Sequence, residues 1–125
     1  MKICITAQEK TIDTQVDPRF GRCKYFIFVD TETMTFEAIE NPFIDSRGGA
    51  GIQSGQLVAE KQVKVVLTGN MGPNAFETLK AAKIDVITSV SGTIKEAIER
   101  YNTGEFKVSE TPSVGSKFGM PDQDK

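Results

Sequence analysis

No histidine occurs anywhere in the 125 residues. That removes the commonest general base and a leading metal-ligating side chain, and with them every histidine-dependent catalytic triad. Cysteine is nearly missing too. Only Cys4 and Cys23 are present, with no CxxC pair, so one chain lacks the thiolates for a conventional four-cysteine iron–sulfur site. In a reducing compartment such residues read as free thiols rather than a disulfide. There is no basic excess: 15 Lys and Arg stand against 17 Asp and Glu, for a net charge of −2. This argues against a nucleic-acid or acidic-membrane partner. No apolar run approaches the roughly 18 residues that a membrane span needs. "MKICITAQEK" turns polar too early for a signal peptide, so a cytoplasmic location is expected. Standard phosphate motifs are absent as well. "GGAGIQSG" lacks the G-x-x-x-x-G-K-[ST] spacing, misses G-x-G-x-x-G by one position, and does not follow the first strand.

What is present suits one domain with a single core, since hydrophobic residues make up 38% and charged residues 26%. "KICITA" (2–7), "KYFIFVD" (24–30), "TFEAIEN" (35–41), "VKVVLTG" (63–69) and "IDVITSV" (84–90) carry β-branched, aromatic or alternating patterns that predict strands. A helix is expected from the glycine-rich stretch to about Gln62. A second begins at Pro73, whose missing N–H costs nothing in the first turn. A third follows Thr93, which stands at capping-box spacing from Glu96, and Gly104 marks its stop. The order is β-β-β-α-β-α-β-α, an α/β domain over residues 1–107 with a mixed sheet of about five strands and helices packed on it. The tail, 108–125, shows no periodicity and is expected to be flexible.

This order places particular loops together. If the second strand runs antiparallel to the first and third, the third lies parallel to the first, fourth and fifth. Segments 8–22, 42–51, 69–74 and 89–93 then share the carboxyl edge, where open α/β sheets usually bind ligands. "DPRFGRCKYF", "SRGGAGIQ", "TGNMGPNA" and "SVSGT" converge there. Two of these open helices, whose unpaired N–H groups and positive dipole ends favour anions. Arg19, Arg22, Lys24 and Arg47 add positive charge to one edge of an acidic protein. A pocket for a compact anion is expected, lined by Arg19, Gly21, Arg22, Arg47, Gly48, Gly49, Ala50, Gly51, Asn70 and Gly72. Other glycine duties are open: Gly55 suits close packing of its helix on the sheet. Cys4, between Ile3 and Ile5, reads as a core residue. Cys23, between Arg22 and Lys24, fits either an exposed reactive thiol or a structural one.

"DPRFGRCKYF", "GGAGIQSGQLVAEKQVKVVLTGNMGPNAFETL" and "SGTIKEAIERYNTGEF" together resemble the dinitrogenase iron–molybdenum cofactor biosynthesis family, which contains NifX, NafY and the C-terminal part of NifB. The resemblance covers about residues 1–107. It implies a ribonuclease H-like fold, and the binding or carriage of iron–sulfur or iron–molybdenum clusters or related anionic metal–sulfur species. A protein donor or acceptor of that cargo is implied with it. Joined to the predicted pocket, it suggests an anion held by backbone amides and arginines, with Cys23 as one metal ligand. Neighbouring cations would favour its thiolate. The alternative is a small-anion or nucleotide-binding regulatory module without metal. An enzyme is not expected. A nuclease would need metal-holding carboxylates, and the first strand has none. Cys23 as a nucleophile has no visible base.

Overall fold

The computed structural model describes residues 1–114 of the chain. Strand β1 (Lys2–Ala7) shows why the sheet lies between helices: every residue from Ile3 to Ala7 is buried. Alternate side chains of a strand point to opposite faces, so both faces of β1 must be covered. Cys4 belongs to a cluster with Phe26, Phe28, Val58, Val66, Leu79 and Val86. Ile3, Ile5 and Ala7 join the other cluster, with Ile27, Val29, Leu67, Ile94, Ala97 and Ile98. Helices α1 (Ala50–Glu60) and α2 (Pro73–Ala81) supply the first cluster, and α3 (Ile94–Asn102) the second. The result is a three-layer α/β/α arrangement.

The five-stranded sheet has the order β3-β2-β1-β4-β5. β2 (Tyr25–Asp30) pairs antiparallel with β1 and with β3 (Phe36–Glu40). β4 (Val65–Leu67) and β5 (Asp85–Ile87) extend the sheet in parallel. Thus β1, β3, β4 and β5 share one direction, as the element order predicts, and the ribonuclease H-like expectation is compatible with this arrangement. The last two strands are shorter than the apolar runs 63–69 and 84–90. Val63 and Ile84 are buried as core residues outside the ladder, and Gly69 leaves it for the edge loop. α1 stops before Gln62 and α2 before Lys83, since both residues have positive φ (60° and 63°). Left-handed residues of this kind terminate a helix. Thr93 caps α3 in a capping box with Glu96, as its spacing indicates. Among the described residues, no helix is long and apolar enough to cross a membrane.

The near end of the tail makes specific contacts. Ser109 N donates to Val86 O (2.7 Å) and Ser113 N to Met71 O (3.0 Å), so 109–114 is fastened to the domain. Lack of periodicity excluded a helix or strand there, but not specific docking. The remaining tail, 115–125, lies outside the described residues.

Candidate functional site

Asp17 organises the loop between β1 and β2. Its carboxylate is buried; Oδ1 accepts from Arg19 N (3.1 Å) and Oδ2 from Lys24 N (3.3 Å), drawing residues 19 and 24 together. Thr6 Oγ1 donates to Asp17 O (2.7 Å) and lies 2.8 Å from Thr68 Oγ1, which ties the loop to the sheet. Beyond that anchor the chain runs beside the β4–α2 loop: Asn70 N donates to Pro18 O (2.7 Å) and Phe20 N to Asn70 O (3.1 Å). The approach is so close that a Cβ at Gly69 would stand 2.6 Å from Pro18 Cα. Glycine is required there by contact.

The segment from β3 to α1 is latched to the same loop. Asn41 Nδ2 donates to Gly21 O (3.1 Å) and Cys23 O (2.9 Å). Arg22 Nη1 donates to Ile44 O (2.9 Å) and Ser46 O (2.6 Å). One end of the Arg22 guanidinium therefore holds the lead-in to the glycine stretch. α1 then starts from Gly49, which has φ 74° and provides no side-chain cap. α2 starts from Gly72, again without a side-chain cap, with Pro73 in its first turn. Neither first turn contains an acidic residue. Helix starts leave amide groups without intrahelical partners; here those of Ala50, Gly51, Ile52, Asn74 and Ala75 precede the first helical bonds, Gln53 N to Gly49 O and Phe76 N to Gly72 O. These are anion-favouring ends of two helices.

Both helix starts open onto one cavity of about 140 Å³. Its walls include Arg19, Gly21, Arg22, Gly48, Gly49, Ala50, Gly51, Asn70 and Gly72, all expected from the sequence. Two expected residues are not in the wall. Arg47 is exposed and lies outside it. Cys23 is fully buried, packed in the cluster of Cys4, Phe20 and Phe26. Burial pushes its thiol well above the ordinary value, and Cys4 and Asp17 add to the rise; the Asn41 contact at 3.9 Å opposes it only in part. This corrects the expected low-pKa thiolate: desolvation dominates at a side chain packed in the core. Gly55 is also reassigned. A Cβ there would meet Thr78 Cγ2 at 2.9 Å, so the close approach is to α2 rather than to the sheet.

Sequence reasoning missed Phe20, Met71, Pro73, Asn74, Ala75 and Val114 in the wall. A glycine followed by Pro73 marks a helix start, and so pointed to the amides of Asn74 and Ala75. Met71 is buried and adds an apolar thioether, whereas Val114 carried no signal. Among the described residues no group of three or more cysteine, aspartate or glutamate side chains could hold a metal ion. The donors of this cavity are amides, guanidinium groups and the two carboxamides of Asn70 and Asn74. They suit hydrogen bonding to an anion, not direct ligation of a metal.

Comparison with known proteins agrees with this architecture. The chain is 31% identical over 98 residues to an uncharacterised protein of Methanocaldococcus jannaschii, covering 76% of this chain and 83% of that one. The apo form of the orange protein from Desulfovibrio gigas superposes with a TM-score of 0.88 at 37% identity, over 90% of this chain and 96% of that one. A Thermotoga protein described as a candidate NifB protein gives 0.76 at 35% identity, over 90% and 98%. The profile of the family described as dinitrogenase iron-molybdenum cofactor matches residues 1–104. The chain belongs to this dinitrogenase iron–molybdenum cofactor family.

Proposed function

We propose that this protein is a binding or carrier protein, not an enzyme, for a compact anionic metal–sulfur species of the iron–sulfur or iron–molybdenum type. The observation that carries this reading is the meeting of two uncapped, glycine-started helices with Arg19 and Arg22 in one cavity. Sulfides of such an anion accept hydrogen bonds, so the cargo is held through its outer atoms and no protein group need enter the metal's coordination sphere. Holding without ligation suits a carrier that passes its cargo to a protein acceptor, because release breaks only hydrogen bonds and ion pairs.

Size separates the alternatives. Ligand pockets for drug-sized molecules run to roughly 300–1,000 Å³. At about 140 Å³ this cavity suits a compact ion rather than a nucleotide. A tetrahedral thiometallate would fit within it, and a larger cluster would stand partly outside. A regulator that binds a small oxyanion uses the same donors and remains the second reading.

Anaerobic equilibrium dialysis against tetrathiomolybdate, with molybdate, phosphate and ATP as competitors, tests the assignment. Retention of the thiometallate is expected, weakened about 10–100-fold in Arg19→Ala on the scale of a charge-assisted hydrogen bond. Cys23→Ser should retain it like wild type. Equal retention of phosphate would favour the oxyanion reading. Failure to retain any thiometallate would refute the carrier assignment.

A further inference from the structure

We propose that Ser109–Val114 is a working part of the anion pocket, a strap in which Ser113 positions Asn70 and Val114 completes the wall, and which governs how long a bound anion stays. This rests on the carrier reading above. The family match ends at residue 104, so the match assigns no role to this segment.

The strap has two fastenings. At the first, Ser109 N donates to Val86 O (2.7 Å), Thr88 N donates to Ser109 Oγ (3.2 Å), and the Thr88 and Ser109 hydroxyls lie 2.9 Å apart. At the second, Ser113 N donates to Met71 O (3.0 Å) and Met71 N donates to Ser113 Oγ (2.9 Å). That second fastening lies at the pocket, directly before the start of α2. Val114 is itself a wall residue, beside Met71 and Asn70.

Ser113 also reaches Asn70. Its hydroxyl proton has Asn70 Oδ1 and Met71 O as acceptors, each at 3.4 Å. With the amide oxygen engaged by the strap, the Asn70 end left for the pocket is its NH2 group, the end an anion needs. An unrestrained carboxamide presents oxygen as readily as nitrogen. Ser113 is therefore a positioning residue acting through Asn70. Residues 103–114 contain no regular structure beyond the end of α3, and segments held by a few hydrogen bonds outside regular structure open far more readily than the core. Opening the strap removes Val114 from the wall and frees the Asn70 amide in one movement.

Release of labelled tetrathiomolybdate from the full-length protein, measured after dilution into excess unlabelled tetrathiomolybdate, tests this. Ser113→Ala should release the probe about 3–10-fold faster, the scale of one lost hydrogen bond. Ser113→Thr should restore slow release. The double variant Ser113→Ala/Asn70→Ala should exceed Asn70→Ala alone by less than the factor that Ser113→Ala gives by itself, since the two changes share the Asn70 effect. Unchanged release in Ser113→Ala overturns the strap's role while the carrier reading stands, and so does a multiplicative loss in the double variant. A wild-type protein that retains no probe overturns both.

Discussion

Neighbouring glycines in one stretch have different physical duties. A Cβ at Gly48 would meet nothing within 4 Å, and Gly49 is equally uncrowded but sits at φ 74°. A Cβ at Gly51 would instead come within 3.2 Å of the Ala75 Cβ. Gly48→Ala is therefore expected to leave stability within about 0.5 kcal/mol of wild type, the usual range for an uncrowded surface change. Gly49→Ala should cost about 1 kcal/mol, because an L side chain disfavours the left-handed region. Urea unfolding of the two variants checks this, and an equal loss in both would contradict it. The clustering of glycines was legible in the sequence; their separate duties depend on which backbone passes nearby. Cys23 carries the same lesson. Its charged neighbours left exposed and structural roles equally open; its side chain packs with Phe20 and Phe26 while the backbone carbonyl is held by Asn41. Adjacent residues in a turn do not share a face.

Between elements, the decisive contact is that of α1 with α2, which brings their starts to one cavity. Strand directions and the convergence of loops were legible, because a hairpin followed by alternating strands and helices leaves few arrangements. The helix–helix approach was not, since Gly55 could equally have faced the sheet. Its test exploits opposed effects. Alanine in place of glycine inside a helix ordinarily stabilises by about 0.8–1.0 kcal/mol. Here the new methyl group would meet Thr78 Cγ2 at 2.9 Å and Cβ at 3.1 Å. Overpacking of this kind costs about 1–3 kcal/mol. Gly55→Ala should thus destabilise on balance, and Gly55→Ala/Thr78→Ala should recover part of the loss, because the Cγ2 atom is removed. A thermal melt showing Gly55→Ala to be more stable than wild type would place the contact elsewhere. The tail illustrates a different limit: Ser109 and Ser113 dock through a few hydrogen bonds each, which leave no periodic trace in a sequence.

At the scale of the whole molecule, the layered core sets a pH limit on stability. Cys4 and Cys23 are fully buried in the same cluster, and burial raises both thiols above their ordinary value. In the unfolded chain a cysteine titrates at about 8.5. Below that value both states hold the protons, and the full stability of the packed thiols is present. Above it the unfolded chain loses protons that the folded core keeps, so folding stability falls as pH rises. Each buried thiol contributes a slope of up to about 1.4 kcal/mol per pH unit, or about 2.7 for the pair. Tyr101 is also raised by burial, but its phenol titrates from an ordinary value of 10.0 and adds little below that pH. Urea unfolding under reductant between about pH 8.5 and 10 should therefore show a steep decline for wild type. Cys23→Ala should have lower stability at pH 7 through its lost packing, yet show roughly half of wild type's decline per pH unit. Parallel pH dependences for the two proteins would mean that Cys23 titrates alike in the folded and unfolded states, as an exposed thiol beside the pocket would. The pH slope thus distinguishes the buried position from the exposed one independently of any cargo.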